Sequence, residues 1–188
     1  MLLEGDDGAA VELRVVGYQF PGDEVDAVSG DWDANWLVIA GRVRTATGEE
    51  WTFRDPGLTT WEAAEVADWL ERAALRQVDP VPSWTHADEE DVSSHGHDDG
   101  GDGDEPHWWD VLHENGWLVF VEPCLSLGVV GRAPGSVQVL LGMGAEWAQP
   151  PLTAGAHDWT CVALRLTPER LRRTVEELRT ELADHPPR

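Results

Sequence analysis

The run Asp31, Trp32, Asp33, Ala34, Asn35 puts oxygen ligands at alternate positions, the spacing with which an EF-hand calcium loop opens. The pattern breaks further on. Such a loop needs glycine at its sixth position for a sharp turn and a bidentate glutamate at its twelfth, and here those positions hold Trp36 and Arg42. A bulky ring blocks the turn and a cation replaces the strongest anionic ligand. The residues read instead as an acidic lip that runs into an apolar strand.

Other constellations meet similar objections. Paired carboxylates for acid and base work must be held a fixed distance apart in a pocket, with one pKa raised. Glu122 in "FVEPCLS" and Glu146 in "GAEWAQPP" are the candidates. A carboxylate paired with Arg132 or Arg165, or set at a sheet edge before Pro123, explains Glu122 without catalysis. His95 and His97, with His86, His107 and His113 nearby, suggest a transition metal, but the stretch has no cysteine and no helical histidine pair to fix tetrahedral geometry.

The sequence has no GxSxG elbow, glycine-rich phosphate loop, CxxC pair or HExxH. Ser83, Ser93, Ser94 and Ser136 fall in loops, and Ser126 lies in a strand-like run. Cys124 and Cys161 each sit in a probable strand and are expected to be buried thiols in a reducing compartment. No metal or cofactor is called for, and an enzyme is not expected. The 11 tryptophans open a different route, a module that stacks sugar rings on exposed indoles. Burial in or beside elements accounts for Trp36, Trp51, Trp69, Trp117, Trp147 and Trp159. Trp32, Trp61, Trp84, Trp108 and Trp109 remain for the surface, where tryptophan beside acid suits a protein interface.

Composition bounds the elements that must position these residues. The length of 188 residues fits a single domain, and 41% hydrophobic residues suffice for a core without staples. The 36 acids face 13 bases, all arginine, for a net charge of −23. That balance repels nucleic acid, which is bound by neutralising its phosphates, and favours a basic protein partner. The opening "MLLEGDDGAAVEL" lacks the basic and apolar regions of a signal peptide, and no window reaches membrane-span length. A cytoplasmic location is expected.

"VELRVV" predicts a first strand, "NWLVIAGRVRT" a second, and "TGEEWTF" a short third that forms a hairpin with it. The pattern changes after Asp55 and Pro56. Thr59 with Glu62 has the form of a capping box ahead of "WEAAEVADWLERAAL", whose apolar stripe is Ala63, Val66, Trp69, Leu70 and Ala73. Asp79 to Asp110 then carries eleven acids and no base, so residues 79–107 read as an acidic, low-complexity, mobile insert. Beyond it, "GWLVFVEP", "CLSLGVVGR", "SVQVLLGMGAEW" and "DWTCVALRL" predict four more strands. Thr167 and Pro168 open a last helix with the stripe Leu171, Val175, Leu178 and Leu182. No internal repeat is evident. The expectation is α+β: an antiparallel sheet of about seven strands, one helix after the third strand, and a C-terminal helix packed on the sheet.

Three segments in that frame, "VELRVVGYQFP", "DANWLVIAGRV" and "WTFRDPGLTTWEAAEVADWL", resemble the WapI-type immunity family. A GYQFP-like element there leads to an NWL strand, a tryptophan strand, a DP turn and a helix ending in WL. "LVFVEPCLSL" and "AEWAQPPL" are similar to that family's F-EP-LSF and E-PP elements, so the likeness spans residues 10–166, with the acidic insert as a departure. The resemblance implies a cytoplasmic antitoxin that blocks the C-terminal domain of a secreted polymorphic toxin, often a nuclease, and it carries no catalytic residues. The charge points the same way, because carboxylates can fill the cationic groove of a nuclease. The expected partner-binding residues are Asp23, Glu24, Asp26, Asp31, Trp32 and Asp33. A tryptophan-rich module that binds carbohydrate or another small ligand and a Glu122-dependent hydrolase are the rivals, and the oligomeric state is open.

Overall fold

Alternating burial along the first half of the chain builds a four-stranded antiparallel meander. The computed structural model describes residues 1–20, 32–81, 116–120, 122, 124–149 and 159–188. Strands β1 (Leu2–Glu4), β2 (Ala10–Tyr18), β3 (Trp36–Arg44) and β4 (Glu50–Thr59) lie in that order. Val11 and Leu13 of β2, Leu37, Ile39 and Val43 of β3, and Trp51 and Phe53 of β4 point into the core. Helix α1 (Thr60–Ala74) follows directly. The second half repeats the arrangement with β5 (Leu118–Val119), β6 (Leu125–Ala133), β7 (Ser136–Gly144), β8 (Trp159–Leu166) and helix α2 (Pro168–Ala183).

The α+β class holds, with two corrections to the layout. Eight strands stand among the described residues, and they form two sheets of four rather than one sheet. The added strand is β1, whose three residues pair Leu3 with Val11 and are too short to show a period of two. The second correction concerns Asp55 and Pro56, which continue β4 instead of turning it. Pro56 faces Val38 across a bulge in which Gly57 is the extra residue. A proline lacks a donor for the ladder, and an edge strand next to a bulge is where a sheet accepts one.

The same sequence of elements, four strands and a helix, thus occurs twice, although no repeat is evident in the sequence. Each sheet is bulged in its second strand, between Val15 and Gly17 and between Val129 and Gly131. Each helix is capped by a threonine that ends or follows the preceding strand, Thr59 or Thr167. Periodicity, a bulge and a cap are enough to specify such a unit, and none of them demands residue identity.

One continuous core joins the halves. α1 presents Ala63, Val66, Trp69, Leu70 and Ala73, and α2 presents Leu171, Val175 and Leu178, all buried, with Leu182 packed at the margin. Trp147 is the largest fully buried side chain, stacked on Phe53 of the other half with centroids 4.6 Å apart. Its carbonyl accepts the Trp51 indole N–H at 3.0 Å. Gly57 is required at this seam, since a Cβ there would lie 2.6 Å from the Trp147 ring and 2.7 Å from Cys124 Sγ. Outside the core, Arg179 of α2 spans to Asp68 and Glu71 of α1, at 2.8 Å to each. α2 also covers β1, where Thr174 Oγ1 donates to the Leu2 carbonyl at 2.7 Å.

The acidic insert lies outside the described residues from 82 onward, but its flanks are placed. Val81 is buried against Trp117, its N–H donates to the Val129 carbonyl at 2.7 Å, and a Cβ on Gly116 would lie 3.3 Å from its side chain. Val81 and Gly116, which bracket residues 82–115 in the sequence, therefore stand side by side.

Candidate partner-binding face

Where β2 ends, β3 begins and α1 starts, the structure keeps large apolar surface in water. Trp32 is 51% exposed and Trp61 is 38% exposed. Their rings meet edge to face, with centroids 5.6 Å apart and planes inclined by 65°. Indoles of this size are normally buried, and an edge-to-face pair is favourable beyond the area it hides.

Local structure fixes both rings from below. Trp32 precedes a 3-10 turn over Asp33–Asn35, closed by the Asn35 N–H on the Trp32 carbonyl at 3.0 Å. Trp61 stands in the first turn of α1. There Thr59 Oγ1 accepts the Glu62 N–H at 3.2 Å, and the Glu62 carboxylate accepts the Thr59 N–H at 2.7 Å. This is the capping box the sequence predicts. Asn35, fully buried, links the two supports by accepting Thr60 Oγ1–H at 3.0 Å.

Carboxylates frame the pair. Asp33 adjoins Trp32 in the turn, and Glu65 lies exposed one helical turn beyond Trp61, on the same side of α1. Of the expected partner-binding residues, Trp32 and Asp33 are thus placed together, whereas Asp23, Glu24, Asp26 and Asp31 lie outside the described residues. Trp61 belongs with them, and only the fold shows it: 29 positions separate it from Trp32 in the chain.

Asn35 is committed to the packing described above, which does not suit a calcium ligand. Glu122 and Glu146 are both exposed, and both act on Asp55 in β4. Burial first, and then the charges of Glu146 and Glu122, hold the Asp55 carboxyl above its ordinary 3.8, while the nearby Trp147 indole works the other way. That N–H is fully buried and has no acceptor at hydrogen-bond distance among the described residues.

Cys124 is buried, with its thiol donating to the Gly57 carbonyl at 3.0 Å, and burial raises its pKa far above the ordinary thiol value. Cys161 corrects the expectation of two buried thiols: it is exposed, because β8 turns Val162, Leu164 and Leu166 inward and the alternate positions outward. Trp84, Trp108, Trp109 and the histidines at 86, 95, 97, 107 and 113 lie outside the described residues. Among the described residues no group of three or more His, Cys, Asp or Glu is placed to hold a metal ion, and no helix is long and apolar enough to cross a membrane.

Among the described residues, two four-stranded antiparallel sheets and two helices on one shared core define an α+β protein that carries an aromatic pair at one end of its first half. Residues 1–186 match the Immunity protein WapI-like family, and the chain belongs to that family. Comparison with curated proteins gives no match. The role this membership supports is that of an immunity protein.

Proposed function

We propose that this chain inhibits a toxin by stoichiometric occlusion, docking the Trp32–Trp61 face on a cationic toxin domain of nuclease type in the cytoplasm. The observation that carries the reading is the exposed indole pair, held on a 3-10 turn and a capped helix beside Asp33 and Glu65, in a chain of net charge −23. The indoles supply the desolvated anchors that set the lifetime of a complex, and the carboxylates supply attraction and register. Asp23, Glu24, Asp26 and Asp31, which precede Trp32 in the chain, are the further acidic contacts proposed for the partner. No turnover is involved.

The test is calorimetry of the purified chain with the C-terminal domain of the toxin encoded beside its gene. A one-to-one complex is expected, with association slowing as salt rises because the attraction is screened. Trp32→Ala and Trp61→Ala are each expected to weaken it by about 2 kcal/mol, or roughly thirtyfold. Soluble oligosaccharides are expected to leave indole fluorescence unchanged. Full affinity in the Trp32→Ala, Trp61→Ala double variant overturns the assignment of the face, and no binding at low salt overturns the inhibitor reading itself.

A further inference from the structure

The segment after α2 does not simply trail off the helix. It turns back across the molecule to the place where β2 ends and β3 begins. Asn35 grips the main chain of Arg188 from both sides, its Nδ2 donating to the Arg188 oxygen at 3.1 Å and its Oδ1 accepting the Arg188 N–H at 2.8 Å. The arginine side chain lies over the Tyr18 ring, 3.4 Å from the centroid, and donates to the Phe20 carbonyl at 3.2 Å. Tyr18 in turn donates its hydroxyl hydrogen to the Pro186 carbonyl and packs its ring against His185 at 5.7 Å.

We propose that Pro186 to Arg188 act as a strap that positions the Trp32–Trp61 pair, with Asn35 as the positioning residue; this rests on the docking role given to that pair above. Asn35 is one hydrogen bond from each ring's support: its N–H holds the Trp32 carbonyl, and its Oδ1 holds the hydroxyl of Thr60, the neighbour of Trp61. Its carboxamide orientation follows from its partners. Arg188 N–H can only donate, so the atom facing it must be oxygen, and the amide nitrogen is left to face the Arg188 oxygen. Removing the strap takes one acceptor from the buried amide nitrogen and one of the donors from its oxygen. Losing both bonds costs a buried polar side chain part of its hold, and the amide becomes free to tilt. The turn below Trp32 and the first turn of α1 then lose their common tie. The strap also spans both flanks of the acidic segment 21–31, touching Tyr18 and Phe20 on one side and Asn35 on the other.

The test uses full-length Arg188→Lys, Arg188→Ala and Arg188→Pro. Lysine keeps a cation over Tyr18, alanine keeps only the main-chain pairing, and proline removes the N–H as well. Coupling between the two indoles is read as the exciton couplet in circular dichroism, isolated by difference against Trp61→Phe. The couplet is expected to survive in the lysine variant, shrink with alanine and vanish with proline. Toxin affinity is expected to fall in the same order, by roughly three- to thirtyfold at the proline variant. A couplet unchanged in Arg188→Pro overturns the strap, even if that variant melts earlier, since plain stabilisation lowers a Tm without altering the geometry of a folded pair. A couplet that vanishes while toxin affinity holds supports the strap and overturns the docking role of the pair.

Discussion

The two halves of the molecule share an order of elements, but among the described residues only the first half holds an exposed tryptophan pair. In the second half Trp117 and Trp147 are buried, and Trp147 reaches across to stack on Phe53 and close the seam between the sheets. In the first half Trp51 and Trp69 are also buried, but Trp32 and Trp61 meet each other in the open. A fold that can bury indoles this completely elsewhere has no packing reason to leave those two outside. The contrast separates the tryptophans that hold the fold from those that serve a surface.

Substitutions can break that contrast or make it sharper. Trp147→Ala empties the seam and should cost about 3–5 kcal/mol, read as a fall in the denaturant midpoint. Trp32→Ala should cost no more than about 0.5–1.5 kcal/mol in the same assay, the worth of its edge-to-face contact with Trp61. Equal losses at the two positions would erase the distinction between the halves. Gly57→Ala drives a methyl group into Trp147 and Cys124 and is expected to cost about 1–3 kcal/mol.

The caps offer a finer comparison. Thr59→Ala removes a buried reciprocal box and should cost about 1–2 kcal/mol, whereas Thr167→Ala removes one bond on the surface and should cost about 0.5–1 kcal/mol. Thermal melts of the two variants under identical conditions decide the order. A larger loss at Thr167 would reverse it.

The smallest effect is set by pH at the junction of the halves. Asp55 lies in the first half, and its pKa is raised first by burial and then by Glu146 and Glu122, which lie in the second. Because the folded pKa is above the unfolded one, the folded state holds the proton more tightly. The favourable contribution is therefore full below the ordinary value of 3.8 and is lost as pH rises through the folded pKa. Asp55→Asn should raise the Tm slightly at neutral pH, and that gain should disappear below about pH 4. A gain that persists in acid would mean that the substitution acts through something other than this charge.

Local chemistry made much of the fold legible. Thr59 and Glu62 stand three residues apart, Thr167 adjoins Pro168, and the stripes of both helices recur at helical spacing, so each is contained in a window of a few residues. Seven strands show a run of their own, but β1 has only three residues, and its existence depends on pairing with β2. Asp55 and Pro56 give a strong turn signal that the bulge at Gly57 overrides. The acidic lip and Trp32 can be seen in the chain because they are contiguous. Trp61 at the side of Trp32, and Arg188 in the grip of Asn35, cannot, because those contacts join residues 29 and 153 positions apart.

The touching flanks at Val81 and Gly116 have a practical meaning. Val81 and Gly116 form one doorway, so a segment spliced between them begins and ends at neighbouring points and need not pull on either sheet. That doorway is a natural port for a fluorescent reporter or an affinity handle, installed without altering the seam at Trp147 or the rings at Trp32 and Trp61.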